Sequence, residues 1–273
     1  MRLFRYRTFK PEFVQAEVEG KVYLWHLDDQ NDPFEGQVRY NAAPSADAIY
    51  QMFLGLRNAL RSEAPAPKDK AWIHGERKFQ VLEATRLLLQ SSDRDLRQRA
   101  QAALAAKVYE NPTLLNEITL KHQAMVHRIV IACFSAAALS PTMFAHYGGG
   151  HAGICIEYEV GEGLVSPVRY EASVPALGLF DANPEAITRA RILTKHTDWQ
   201  YEQEHRLTLY DKAAGLFSHP GIKVTNLYAG FRIAPANLEQ LRTLHAVRSG
   251  TVRLWQVMPR RSEYAFDTLR IEP

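Results

Sequence analysis

Three charged residues follow one another at intervals of two near the C-terminal third of the chain: Glu202, Glu204 and Arg206. The alternation in Leu207-Thr208-Leu209-Tyr210 directly after them predicts a β-strand. Side chains two apart on a strand share a face, so the two carboxylates would lie side by side. Adjacent carboxylates repel each other. Either Arg206 neutralises them, or they face a substrate that carries positive charge at some stage.

A helix at 199–206 would give the same residues a plain structural role. Glu202 and Arg206 would then be an ordinary i,i+4 surface pair. The alternation after Arg206 favours the strand. The sequence leaves both a functional site and a structural ion-pair cluster open for the two glutamates.

Arg5, Arg7 and Ser135 are the polar residues of two other predicted strands. Arg5 and Arg7 share one face of a strand at 3–7, where a guanidinium fork suits a pyrophosphate. Ser135 ends a β-branched run at 128–135 that is typical of a buried strand. Each has a structural alternative, since arginines beside aromatic strand residues are often solvated or paired and a terminal serine often caps a turn.

Two polar turns complete the candidate residues. Asn31 and Asp32 precede a proline and form a strong turn signal, so a structural turn is favoured over a cleft-lining role. His146 and Tyr147 precede the glycines at 148–150, where a turn between helix and strand is favoured. No Gly-Lys-Ser/Thr follows these glycines, so a phosphate-binding P-loop is disfavoured. A role for His146 and Tyr147 in lining a ligand cleft stays open beside this turn.

Bulk composition indicates an ordinary globular chain. It has 273 residues, 46% hydrophobic and 23% charged, with a net charge of +3. That charge is too small to demand nucleic acid as a partner. Cys133 and Cys155 lie in apolar runs and are expected to be reduced, buried thiols. There is no signal-peptide pattern, and the longest apolar stretch is too short to span a bilayer, so we expect a cytoplasmic protein without a membrane partner.

The predicted elements favour an α+β fold rather than a doubly wound sheet, because no βαβ alternation runs through the chain. A single domain, 1–273, would contain a curved, mixed and mainly antiparallel sheet. A helical insertion at 42–127 would interrupt it. Strands are predicted at 3–7, 21–27, 128–135, 153–160, 167–170, 199–210, 222–233 and 253–257. Helices outside the insertion are predicted at 140–147, 183–196 and 235–249.

Several motifs together resemble a bacterial family known only as a domain of unknown function. The resemblance covers nearly the whole chain except the helical insertion, and it brings no activity with it. The motifs are Phe4-Arg5-Tyr6-Arg7, Asn31-Asp32-Pro33-Phe34-Glu35, Cys133-Phe134-Ser135, Met143-Phe144-Ala145-His146-Tyr147, the segment from His151 to Tyr158, the segment from Trp199 to Arg206, and Gly230-Phe231-Arg232-Ile233.

A second resemblance is to mono-ADP-ribosyltransferases. These carry, in order, an arginine on an early strand, an aromatic-Ser-Thr-Ser strand and a later Glu-x-Glu. The matching residues are Arg5 or Arg7, Phe134-Ser135, and Glu202 with Glu204, although Ala136-Ala137 follows Ser135 here. The resemblance implies an ADP-ribosyltransferase-like fold and NAD as the substrate.

The same resemblance implies roles for the residues. Glu204 would stabilise the positive charge that builds on the ribose as the nicotinamide bond breaks. Glu202 would position or deprotonate the acceptor, a protein or a nucleic acid. Ser135 would hold Glu204 or the ribose, Tyr147 would stack on nicotinamide, and Arg5 or Arg7 would bind the pyrophosphate.

The expected function is therefore an ADP-ribosyltransferase or NAD glycohydrolase, with a toxin or phage-defence role implied by the resemblance. The helical insertion would be a platform for a regulator or second subunit. One alternative is a metal-dependent nuclease or phosphoester hydrolase that uses His146, His151 and Glu157. Another is a non-catalytic binding protein whose polar motifs are structural.

Overall fold

A computed structural model describes residues 1–41, 87, 91–99, 129–178 and 184–272. The chain divides into two compact units. The first consists of Met1–Gly36, His127–Ser173 and Ile192–Pro273, and the second consists of Gln37–Val126 and Val174–Arg191. The predicted helical insertion at 42–127 lies almost entirely outside the described residues.

Strands and short helices make up the described part of the chain. The strands are β1 (Arg2–Arg7), β2 (Lys21–His26), β3 (Arg39–Asn41), β4 (Ile129–Ser135), β5 (Ile154–Val160), β6 (Ser166–Pro167), β7 (Arg169–Glu171), β8 (Ala176–Gly178), β9 (Thr194–His196), β10 (Glu204–Tyr210), β11 (Gly215–Ser218), β12 (Ile222–Ala229), β13 (Arg253–Pro259) and β14 (Phe266–Ile271). The helices are α1 (Pro11–Val18), α2 (Pro141–His146), α3 (Pro184–Ile192), α4 (Pro235–Thr243) and α5 (His245–Arg248). Single 3₁₀ turns cover Leu27–Asp29 and Thr197–Glu202.

The first unit is organised by one sheet, which has ten strands in the described residues. Its order is β11-β2-β4-β1-β5-β12-β13-β14, with β10 and β6 joined through β4. Its pairs are antiparallel except for β12 with β13, which is parallel. The predicted α+β class and the mixed, mainly antiparallel sheet are therefore confirmed.

The remaining strands form two small parallel pairs. In the first unit β7 pairs with β9. In the second unit β3 pairs with β8.

Apolar side chains cover both faces of β1. Leu3 belongs to the larger apolar cluster, together with residues of β4, β5 and β12. Phe4 and Tyr6 belong to a second cluster, with Phe144 of α2. Since adjacent side chains point to opposite faces of a strand, β1 is buried on both faces. An arginine on this strand is consequently drawn into the protein.

The glycine-rich turn after α2 brings β5 against β1. Gly149 and Gly150 have positive φ values of 57° and 62°, which glycine adopts without a steric penalty. A Cβ on Gly153 would lie 2.2 Å from the carbonyl oxygen of Arg7. The turn is thus shaped for close backbone contact, in agreement with the interpretation favoured from the sequence.

Two predicted helices end earlier than the sequence suggested, and the strands β3, β8, β9, β11 and β14 were not predicted. The helix predicted at 183–196 ends at Ile192, because the next residues form β9 and pair with β7. The helix predicted at 235–249 is interrupted at Leu244, whose ψ of 131° is not helical. The strand β14 was not predicted, because its alternation is weak and pairing with β13 decides its conformation.

Candidate functional site

A crevice lies where β4 changes partner along one edge. β2 pairs with β4 at Trp25↔Ile131, whereas β1 pairs with it only at Phe4↔Ser135. A cavity of about 230 Å³ lies here, within the first unit. Its lining includes seven of the residues predicted from the sequence, which are Arg5, Arg7, Asn31, Ser135, Tyr147, Glu202 and Glu204. Distant segments of the chain therefore meet at one place.

The two glutamates do not share a continuous strand, so the strand predicted across 199–206 is wrong in its first half. Residues Thr197–Glu202 form a 3₁₀ turn, and the strand begins only at Glu204. Between them Gln203 adopts the left-handed conformation, with φ 46° and ψ 51°. Because of this turn, the side chains at 202–204 do not alternate as they would on a strand. Both carboxylates nevertheless approach the same ammonium group of Lys195.

Ser135 fixes the turn that carries Glu202. It lies opposite Glu204 on the neighbouring strand. Its hydroxyl donates to the backbone carbonyl of Glu202 at 2.5 Å and accepts from the backbone N–H of Ala137 at 3.0 Å. The predicted bond from Ser135 to the Glu204 carboxylate is not formed. The serine instead holds the backbone on which Glu202 stands.

Glu204 is held by cations in the protein interior. Arg206 binds it through two bonds, Nε to Oε1 at 2.8 Å and Nη2 to Oε2 at 3.0 Å. Lys195 adds a contact of 3.3 Å. Burial alone would raise the pKa of Glu204, but Arg206 and then Lys195 lower it to about 2. Glu204 is therefore a firmly ionised carboxylate with its oxygens occupied.

Arg206 does not bind both glutamates of the pair. Its second fork binds Glu35, with Nη1 to Oε1 at 2.6 Å and Nη2 to Oε2 at 3.0 Å. It also donates to the carbonyl of Ile192 at 2.7 Å. Only 1% of Arg206 is exposed. This residue thus links Glu204 and Glu35 into a buried network and leaves Glu202 outside it.

Glu202 has a different environment. Lys195 Nζ lies 2.6 Å from its Oε2, and the Tyr147 hydroxyl donates to its Oε1. Asn31 in turn donates to the Tyr147 oxygen at 3.0 Å. Burial raises the pKa of Glu202, and the opposing effects of Lys195 and Tyr147 do not fully cancel the rise. A cavity-lining carboxylate with a raised pKa is suited to accept and release a proton.

Lys195 is the main functional residue that the sequence did not reveal. It stands on β9 between the two carboxylates, and its Nζ also lies 4.6 Å from the ring centre of Trp199. Burial opposes the charge of Lys195, but the two glutamates raise its pKa overall. Its segment was predicted as helix, so no periodic signal placed it near Glu202.

Tyr170 and Glu35 were also missed. Tyr170, on β7, accepts from the backbone N–H of Glu204 at 2.7 Å. Burial raises the pKa of Tyr170 to about 12, so this hydroxyl is neutral. Glu35 belongs to the Asn31-to-Glu35 motif, which was recognised without a role for its last residue. The acidic side chain at the end of this motif is the one feature of the sequence that indicated Glu35.

The opposite wall of the cavity carries the two arginines. Arg5 donates to Glu17 Oε1 at 2.9 Å and to the carbonyl of Tyr23 at 3.4 Å. Its guanidinium lies 5.3 Å from the ring centre of Phe134. Arg5 is 6% exposed. The ion pair with Glu17 and the packing against Phe134 hold the buried Arg5 in place, so Arg5 is mainly a structural residue of this wall.

Arg7 remains available to a ligand. Its Nε lies 2.8 Å from Glu17 Oε1, although the angle is too poor for a hydrogen bond. Its two Nη groups make no hydrogen bond to any residue in the described part of the chain. The side chain is 20% exposed, more than Arg5. Glu17 thus holds the Nε end of Arg7, while the two Nη groups stay unpaired in the described part of the chain. Glu17 also accepts a hydrogen bond from the Tyr158 hydroxyl at 2.7 Å.

Asp32 and His146 are not among the residues that line the cavity. Asp32 is buried and accepts from the backbone N–H of Phe34 at 2.9 Å, as a structural turn requires. His146 is exposed, and its Nδ1 lies 2.7 Å from the Tyr201 hydroxyl. Both residues support the segments that bear Asn31 and Tyr147.

The metal-site alternative gains no ligand set. Among the described residues, no three His, Cys, Asp or Glu side chains lie close enough together to hold a metal ion. His151 packs against Phe231, with ring centres 5.0 Å apart. Glu157 accepts from Tyr228 at 2.8 Å and from Asn226 at 3.0 Å.

Comparison with known proteins gave no match to this chain among protein-family models, curated proteins or solved structures. No helix in the described ranges is long and apolar enough to cross a membrane.

Proposed function

We propose that the cavity binds NAD and cleaves the bond between nicotinamide and ribose, so that the chain is an NAD glycohydrolase or ADP-ribosyltransferase. The observation that carries the proposal is the convergence of Arg7, Ser135, Tyr147 and Glu202 on one cavity. The predicted arginine, serine and glutamate motifs thus meet in space. The proposal includes an ADP-ribosyltransferase-like arrangement of β1, β4 and β10 around the crevice.

The charges of the cavity walls suit this ligand. One wall carries Arg5 and Arg7 with the single carboxylate of Glu17. The other carries Glu202 at the cavity surface. Oxidised NAD has an anionic pyrophosphate and a cationic pyridinium ring. Arg7 would bind the phosphate, and Glu202 would lie near the pyridinium and the ribose.

The cavity volume supports binding of one half of the dinucleotide. At about 230 Å³ it is smaller than pockets that enclose a whole drug-sized ligand, which span roughly 300–1,000 Å³. Nicotinamide and its ribose would occupy the cavity, and the adenylate would extend beyond Arg7. Trp25 and Tyr147 supply aromatic faces for the nicotinamide ring.

Glu202 would take both of the roles that the sequence divided between the two glutamates. Glu204 is neutralised by Arg206 and Lys195, so its charge is already compensated. Glu202 is the carboxylate that would stabilise the cationic ribose and take a proton from the acceptor. Glu204 would act indirectly, because it holds the Lys195 that positions Glu202.

A toxin or antiviral-defence role in the bacterial cytoplasm belongs to the proposal only through the resemblances in the sequence. The loss of cellular NAD is a chemistry consistent with such a role. The acceptor would be water, a protein or a nucleic acid.

The test is NAD consumption by the purified full chain, compared with the variants Glu202→Gln and Glu159→Gln. We expect Glu202→Gln to lower kcat by about 10²–10⁴-fold, the range for loss of a general base. Glu159 is an exposed carboxylate on β5, so its variant is the matched control. If the wild type leaves NAD intact, or if both variants consume it as the wild type does, the proposal is wrong.

A further inference from the structure

We infer that the acceptor in this site is water, so that the chain hydrolyses NAD to ADP-ribose and nicotinamide rather than modifying a macromolecule. This inference rests on the proposed function and narrows it. It follows from three properties of the carboxylate that would activate the acceptor: its depth, its remaining lone pairs and the cations around it.

The first property is depth. Only 5% of the Glu202 side chain is exposed. Tyr147 covers one of its oxygens and Lys195 the other. A group activated by Glu202 must enter a cavity of about 230 Å³ that also holds nicotinamide and ribose. One water molecule needs only about 10–15 Å³ of such space, whereas an amino-acid side chain needs several times more.

The second property is the free hydrogen-bonding capacity of Glu202. An ionised carboxylate has about four lone-pair sites. Tyr147 and Lys195 use two of these sites, and the remaining sites can accept hydrogen bonds from a molecule in the cavity. A water molecule can therefore donate one proton to Glu202 while its oxygen lone pair faces the ribose.

No other group in the described cavity lining competes for this role. Glu204 has both oxygens bonded to Arg206 and one to Lys195. Burial, followed by the charge of Glu204, raises the pKa of Cys133, so that thiol stays protonated. Burial and Glu202 raise the pKa of Tyr147. Glu202 is thus the base available to water.

The third property is the positive charge beside Glu202. Lys195 Nζ lies 2.6 Å from the carboxylate, and Arg7 stands on the facing wall. An arginine or lysine acceptor would bring a second positive charge into a cavity that, in the proposed complex, already holds the pyridinium beside Lys195 and Arg7, which is unfavourable at short range. Neutral water has no such cost. Arginine and lysine side chains are therefore poor acceptors here.

The step balances as a hydrolysis. The C1′–N bond of NAD breaks, and its electron pair leaves with nicotinamide, which becomes neutral. The water oxygen forms the new bond to C1′ while Glu202 takes one proton from it. Glu202 then releases that proton to solvent. The products are nicotinamide, ADP-ribose and one proton, and no oxidant or reductant is needed.

The experiment follows NAD labelled in its adenylate phosphate. The purified full chain is incubated with labelled NAD, with and without a bacterial lysate that supplies protein and nucleic acid. We expect free ADP-ribose to account for nearly all of the NAD consumed in both mixtures. Added methanol, a small neutral nucleophile, should form methyl ADP-ribose, whereas added agmatine, a guanidinium compound, should form no adduct.

Each outcome separates the inference from the function on which it rests. If NAD is consumed and the label is bound to protein, nucleic acid or agmatine at a rate similar to hydrolysis, water is not the acceptor and NAD cleavage still stands. If NAD is not consumed at all, both fail. The pH profile of kcat tests Glu202 itself: its acidic limb should disappear in the residual activity of Glu202→Gln and persist in Glu202→Asp.

Discussion

Glu202 and Glu204 are two residues apart, yet their surroundings give them opposite properties. Glu204 is bound by Arg206 through two bonds, and its pKa falls to about 2. Lys195 contacts both carboxylates, but Glu202 makes no bond to Arg206, and burial raises the pKa of Glu202. Pairs of titratable groups whose pKa values are driven apart are typical of acid–base sites. We therefore assign a structural role to Glu204 and proton transfer to Glu202.

The largest effect should come from breaking the network around Glu204. Arg206→Gln leaves Glu204 and Glu35 buried without their main partner, so we expect the free energy of unfolding to fall by about 3–5 kcal/mol. Urea denaturation followed by circular dichroism measures it. Adding Glu204→Gln to this variant should recover part of the loss, because one unpaired charge is removed.

Arg260 offers the matched control for Arg206. It also binds two carboxylates, Glu263 at 2.6 Å and Asp267 at 2.7 Å, but it lies at the surface with 41% of its side chain exposed. Arg260→Gln should leave the urea midpoint nearly unchanged, because solvent screens an ion pair at the surface. Equal losses in the two variants would mean that burial does not distinguish the Glu204 network from a surface ion pair.

The second effect concerns stability in acid. A carboxylate with a lowered pKa stabilises the folded state above its ordinary pKa of 4.5, and this contribution is lost as the pH falls towards about 2. At about 1.4 kcal/mol for each pKa unit, Glu204 contributes about 3 kcal/mol. Urea midpoints measured from pH 5 to about 2 should therefore fall steeply in the wild type and less in Glu204→Gln.

Glu202 should behave in the opposite way in the same measurement. Its raised pKa means that ionisation above its ordinary pKa of 4.5 costs stability. Glu202→Gln is thus expected to lower the free energy of unfolding at neutral pH less than Glu204→Gln does, while kcat falls. A Glu202→Gln variant that unfolds as readily as Glu204→Gln would remove the distinction between the two carboxylates.

The smallest effect is expected on the facing wall. Arg7→Gln removes the fork that would bind phosphate, and charge-assisted bonds contribute about 1.5–3 kcal/mol, so KM for NAD should rise roughly 10- to 100-fold with little change in kcat. Steady-state kinetics at low and high salt measure it. Arg2→Gln, an exposed arginine of the same strand, is the control. A fall in kcat at constant KM would place Arg7 away from the phosphate.

Local patterns in the sequence were sufficient to predict the framework. The alternation around Leu3, the β-branched run that ends at Ser135 and the alternation through Tyr158 predicted β1, β4 and β5 to within one or two residues. The order of arginine, serine and glutamate motifs also predicted which segments meet at the crevice. The three strands depend on residues close in the chain, so periodicity reports them, whereas the meeting of the motifs is what the resemblance to mono-ADP-ribosyltransferases implied.

The tertiary structure alone decided which carboxylate is free. Arg206 bonds to Glu35, which is 171 residues away in the chain, and this pairing leaves Glu202 to Lys195. The left-handed Gln203 and the strand that carries Lys195 arise from contacts with distant segments. Burial and charge pairing set each pKa, and both depend on positions in space that no local spacing of residues records.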